Sequence, residues 1–329
     1  MVAVTGLIVP EAHHLFIWAR QNWRVLETVR KWWPLGHVEP SQFRIPADVD
    51  FETGFRQTVI EPATEAAELL EKYELDRGRA IHQGRKDLKK LRAALRLIRD
   101  HADEEFIPAE SVRLRDAGRL LATVRDADVK VQTLASLRQR RVLPISVPVL
   151  DEWAAALEHD RDELLHRLDD PHVPVGAGGA MVRSIDAVIE ECKSVAQWPV
   201  DGLTLRSARL ALVRERARGI AAMGRVIEGG DDEAVHDFRK RMKDLWHHLD
   251  LLCDVLPELH PNHVERAHAV SDLLGDHNDL AVLVADARAR PGIVSANDLL
   301  AIEDAVRSIE QDLRRRAVEQ ARALYKSLI

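Results

Sequence analysis

Cysteine is nearly absent. Cys192 and Cys253 are too few for a disulfide framework or a zinc cluster, and they fit a reducing compartment, so a cytoplasmic protein is expected. Aromatic residues make up only 5% of the chain and strand formers are sparse, whereas long Ala/Leu/Arg/Glu runs favour helices. No run of about 18 apolar residues occurs, and the opening MVAVTGLIVP lacks the positive n-region of a signal peptide. Neither a membrane span nor an export signal is expected. Positive charge is not in excess: the formal net charge is −7. The chain as a whole is therefore not a basic nucleic-acid binder, and any anion site must be local. A Gly-rich phosphate loop, a Ser-His-Asp arrangement and a Cys-rich metal motif are also missing, so neither an enzyme nor a cofactor is expected.

What the chain does contain is concentrated in residues 81–98, IHQGRKDLKKLRAALRLI. As a helix, these place Ile81, Leu88, Leu91, Leu95 and Ile98 on one apolar seam, interrupted only by Gly84. One position on runs a second row: His82, Arg85, Lys89, Arg92, Arg96 and Arg99. It is rotated by about 100° from the seam. Residues 82–99 hold seven Lys or Arg against the single acid Asp87, so pairing within the helix cannot neutralise the row.

The pattern returns 154 residues later as VHDFRKRMKDLWHHLDLL. Val235, Phe238, Met242, Leu245, Leu249 and Leu252 repeat the seam, and His236, Arg239, Lys240 and Lys243 repeat the start of the row. LLATVRDADV at 120–129 likewise aligns with LLGDHNDLAV at 273–282, placing Arg125 and Asp126 on Asn278 and Asp279. Two echoes at nearly equal offset point to an internal duplication.

The run His-x-x-Arg-x-x-x-Lys-Lys-x-Arg-x-x-Leu from His82, followed by Arg125-Asp-x-Asp-Val, resembles the CHAD family, the conserved histidine α-helical domain, over roughly residues 50–329. In the first copy His82, Arg85, Lys89, Lys90 and Arg92 stand where the family carries its histidine and basic residues, and Arg125, Asp126 and Asp128 fill the second motif. In the second copy His236, Arg239 and Lys243 fit, while Asp244 and Trp246 replace expected basic residues and Asn278 replaces an arginine. The resemblance implies an all-α fold of two four-helix units related by pseudo-symmetry, with a basic surface or central channel. It also implies binding of inorganic polyphosphate or polyphosphate granules without a catalytic reaction. The strands and Glu-x-Glu motif of the CYTH triphosphatase domain, to which CHAD domains are often fused, are not seen.

This reading divides the chain into an N-terminal extension at 1–48, a first helical bundle with a connecting helix at 49–197 and a second bundle at 198–329. The extension carries four of the seven tryptophans on an amphipathic stretch at 11–33, then a Pro/Gly linker. Helices are expected near 50–76, 81–98, 109–139, 148–169 and 180–197, and then near 204–227, 232–254, 260–290 and 296–328. Arg125-Asp126 is expected to bend or interrupt its helix. The segment 52–76 is acidic, seven acids against two bases, and could neutralise the basic row. The segment 204–227 has six arginines against Glu215 alone.

The expected ligand set is His82, Arg85, Lys86, Lys89, Lys90, Arg92, Arg96 and Arg125 from the first copy and His236, Arg239, Lys240 and Lys243 from the second. Arg209 and Arg216 join them from the arginine-rich segment. Asp126, Asn278 and Asp279 are expected to orient these cations, because a carboxylate beside arginine stays ionised rather than doing acid–base work. The residues alone require only an anion, so other polyanions fit them as well.

Two other function classes share these residues. Glu233-x-x-His236 and Glu265-x-x-His268 have the spacing of a carboxylate-bridged di-metal bundle. His82 or His236 could serve as the phosphorylated nucleophile of a phosphotransfer module.

Overall fold

A computed structural model describes residues 43–71, 77–169 and 194–328, and these are helical with no strand among them. Eight helices follow one another: α1 Phe51–Glu71, α2 Arg77–Leu97, α3 Phe106–Gln139, α4 Val147–Asp169, α5 Leu205–Ile227, α6 Asp232–Leu252, α7 Pro261–Arg288 and α8 Ala296–Ser327. The Trp-rich stretch at 11–33 and most of the helix expected at 180–197 lie outside the described residues, as does Cys192.

The two seams become the centre of the fold. Ile81, Leu88, Leu91, Leu95 and Ile98 are all buried, as are Val235, Phe238, Met242, Leu245, Leu249 and Leu252. Each large apolar side chain taken from water contributes about 1.5–3 kcal/mol. Consecutive helices pack against one another in each half, α1 to α4 and α5 to α8. The halves meet where α2 lies against α6 and α3 against α7. Gly84 lies against both neighbours of α2: a Cβ there would make ordinary contacts with Leu70 of α1 and Leu121 of α3 at 3.5 Å.

Local signals place the helix ends. Thr204 and Ser207 form a reciprocal capping box at the start of α5, and Asp231 caps α6 by accepting from the Ala234 amide. Gly229, at φ +93°, makes the turn between them. Arg314 then donates to the carbonyls of Val226 and Gly230 at 2.5 and 2.6 Å, tying α8 to that turn. Its neighbours Arg315 and Arg316 instead pair with Asp312 on the solvent side.

Two features depart from the sequence reading. Arg125-Asp126 does not interrupt α3, which runs unbroken from Phe106 to Gln139. Neither residue costs a helix its hydrogen-bond ladder as proline would, and buried Leu121, Val124 and Leu134 hold the helix on both sides of the pair. Residues 43–45, read as linker, are part of the core. Phe43 and Ile45 are buried, the Ile45 amide donates to the Leu251 carbonyl at 3.0 Å, and Arg44 reaches Asp250 at 3.2 Å.

Candidate anion-binding site

Packing α2 on α6 brings the two basic rows together. Arg85 and Lys89 on α2 come within electrostatic reach of Arg239 and Lys243 on α6. Arg85 and Arg239 align when the two echoing segments are set 154 residues apart, and so do Lys89 and Lys243. Equivalent cations therefore repel each other across the interface. A second set obeys the same correspondence with opposite charges. Arg96 Nη1 bonds Asp244 Oδ1 at 2.6 Å, while Asp250, the equivalent of Arg96, is attracted to Lys90, the equivalent of Asp244. Reciprocal contacts of this kind are what a two-fold relation between copies produces.

The cluster is partly desolvated. Burial, reinforced by Lys243, Arg85 and Arg239, lowers the Lys89 ammonium to a pKa of about 7. Burial and then Arg239 lower Lys243 to about 8. Among the described residues, Lys89, Arg92, Arg239 and Lys243 make no ion pair. The Nε of Arg92 is buried without a hydrogen-bond partner. Burial and then Arg125, Lys86, Lys89 and Arg85 also depress His82.

Helix α3 closes one side. Arg85, Lys89 and Arg92 line a groove of about 480 Å³ with Arg115 and Arg119 of α3, over a floor that includes Leu88, Leu114 and Gly118. Arg115 and Arg119 stand one turn apart on α3, but nothing in that helix's own pattern sets them apart from other surface arginines, and the sequence reading missed them. Arg85 is held in place by donating to the Leu121 carbonyl at 3.0 Å and lying 3.7 Å from Asp126. Arg125 donates to Gln132 at 3.3 Å. In the second half Nδ1 of His236 lies 3.2 Å from Oδ1 of Asn278, whose amide reaches Asp279 at 3.4 Å.

The remaining expected residues are placed differently. Lys90 turns to buried Asp87 at 3.1 Å and lies over the Phe43 ring. Arg209 pairs with Glu258, and Arg216 gives its donors to the Tyr325 carbonyl near the end of α8. Two other α5 arginines lie near Arg99, just past the end of α2: Arg214, paired with Asp100, and Arg218, paired with buried Glu215. Lys86 and Lys240 are exposed at the rim. His82 and His236 sit beyond the first turns of α2 and α6, where the field of unpaired helix amides has faded.

Among the described residues the acidic helix makes no ion pair with the row. Glu61, Glu65 and Glu68 of α1 make no ion pair among the described residues, and Glu65 acts instead on Asp87, on another side of α2. For the di-metal reading, no group of three or more His, Cys, Asp or Glu side chains among the described residues is arranged to hold a metal ion. His268 stacks on Trp246 at 4.2 Å and faces Asp272.

The comparisons with known proteins agree with this architecture. A crystal structure of the CHAD domain from the plant Ricinus communis matches with a TM-score of 0.58 at 18% identity, covering 89% of this chain and 98% of that one. No curated protein matches the chain. No helix among the described residues is long and apolar enough to cross a membrane. The sequence model of the CHAD domain matches residues 63–288, a stretch that holds both basic rows and both downstream motifs. The chain belongs to the CHAD family.

Proposed function

We propose that the paired rows of α2 and α6 bind inorganic polyphosphate or a similar phosphate-rich polyanion without turning it over. The observation that supports this most is the meeting of Arg85, Lys89, Arg239 and Lys243 as partly buried cations with no carboxylate paired to Lys89, Arg239 or Lys243. Like charges held together out of water destabilise the empty protein, and a multivalent anion relieves that repulsion. The CHAD resemblance implies polyphosphate among the possible polyanions.

Polyphosphate is a flexible line of negative charge with no base edges to read, so its binder needs spaced cations rather than a shaped pocket. Residues seven apart on a helix are about 10.5 Å apart. Arg85 and Arg92 keep that spacing on one helix, and Lys89 fills the interval. Arginine forks onto two phosphate oxygens, while lysine supplies a mobile point charge.

A salt series distinguishes this reading from general stickiness. Affinity for long-chain polyphosphate should fall linearly in log–log form as salt rises, because counter-ions are released on binding. At fixed salt, duplex DNA with the same number of phosphates should compete poorly, since its stiffness keeps it from following a narrow groove. Equal competition by DNA would make the site a general polyanion surface and defeat the polyphosphate assignment.

A further inference from the structure

Helix α5 is apolar on two opposite faces. One packs into the second bundle through Ala208, Leu212, Ala222 and Val226. The other carries Leu210, Val213, Ala217, Ile220, Gly224 and Ile227, alternately three and four residues apart for the length of the helix. Its large members are open to solvent: Leu210 is 59% exposed, Val213 42%, Ile220 37% and Ile227 46%. A Cβ added at Gly224 would meet nothing within 4 Å. At the C-terminal end the face runs into an open, mainly apolar groove between Ile227 and Val318 of α8.

We propose that this face pairs antiparallel with the same face of a second molecule of this chain. Sequence register and charge both select that occupant. In antiparallel register Leu210 falls opposite Ile227, Val213 opposite Gly224 and Ala217 opposite Ile220, so large residues meet small ones in four of the six layers and every a-type position meets a d-type position. Several arginines beside the face are already paired within the chain, Arg209 with Glu258, Arg214 with Asp100 and Arg225 with Asp237, while Arg216 donates to the Tyr325 carbonyl. That pairing reduces both the repulsion of a second copy and the pull on an acidic partner or an anionic lipid surface. Arg206, one heptad before Val213, is exposed and without an ion pair among the described residues; the antiparallel register brings it toward Glu228 at the C-terminal end of the other molecule's helix.

Two measurements test the pairing. Light scattering across a concentration series should show a wild-type dimer, and Leu210→Asp/Ile220→Asp should be monomeric with an unchanged helical circular dichroism spectrum. In a Cys192→Ser/Cys253→Ser background, Leu210→Cys mixed with Ile227→Cys should form a disulfide-linked heterodimer, while neither variant links to itself. A wild type that stays monomeric, a double variant that dimerises like wild type, or self-linking of Leu210→Cys would each overturn the proposal.

Discussion

Replacing Lys89 and Lys243 together by Met should stabilise the protein at pH 7 by about 2–4 kcal/mol while weakening polyanion binding. Methionine keeps the apolar stem that the site packs and removes the charge it repels. In the unfolded chain both lysines titrate near 10.5; in the fold they titrate near 7 and 8. Each pKa unit of depression corresponds to about 1.4 kcal/mol against the charged folded form, and coupling between the two together with partial hydration reduces the sum to the stated range. The sign follows directly. The unfolded state holds more protons between pH 7 and 10.5, so wild-type stability should climb across that window. The penalty is fully present below the folded pKa values and vanishes above 10.5. Denaturant unfolding at several pH values should show that climb in wild type and a flatter profile in the double variant. A variant no more stable than wild type would mean that the cluster is not strained.

Binding should take up protons. A bound anion favours the charged forms of Lys89 and Lys243 and returns both pKa values toward the normal lysine range. At pH 8 the empty site is short of about 1.4 protons relative to the occupied one, given pKa values of about 7 and 8. Calorimetry in two buffers should therefore give binding heats that differ by about 1.4 times the difference in their ionisation enthalpies. Affinity should fall by on the order of 500-fold between pH 7 and 9, because both lysines must then be protonated at binding. The depressed His82 and His236 add a second uptake on the acid side, in the same direction. Equal heats in both buffers and a flat pH profile would place the anion away from these lysines.

The helices, both seams and both rows were legible because each is a matter of period within one segment. Every seam residue from Ile81 to Leu252 named in advance is buried. Contacts between distant segments were not legible. Asp244 looked like a loss of positive charge from the second row, yet it is the partner of Arg96 in the other half. Of the α5 arginines, the periodic pattern did not say which would find acids: Arg209 went to Glu258, Arg216 to a backbone carbonyl, Arg214 to Asp100 and Arg218 to Glu215. Phe43 and Ile45 were hidden by the prolines around them, which read as linker although the two side chains between them are core. The exposed face of α5 shares its period with a buried seam, and only the fold shows that nothing among the described residues covers it.

The most direct test of the account is a titration of labelled long-chain polyphosphate against wild type and an Arg85→Glu/Lys89→Glu/Arg92→Glu variant. All three positions line the groove between α2 and α3. The account predicts that the variant remains folded and loses binding at salt concentrations where wild type is saturated. A folded variant that binds as tightly as wild type, or a wild type that binds no polyanion, would contradict it.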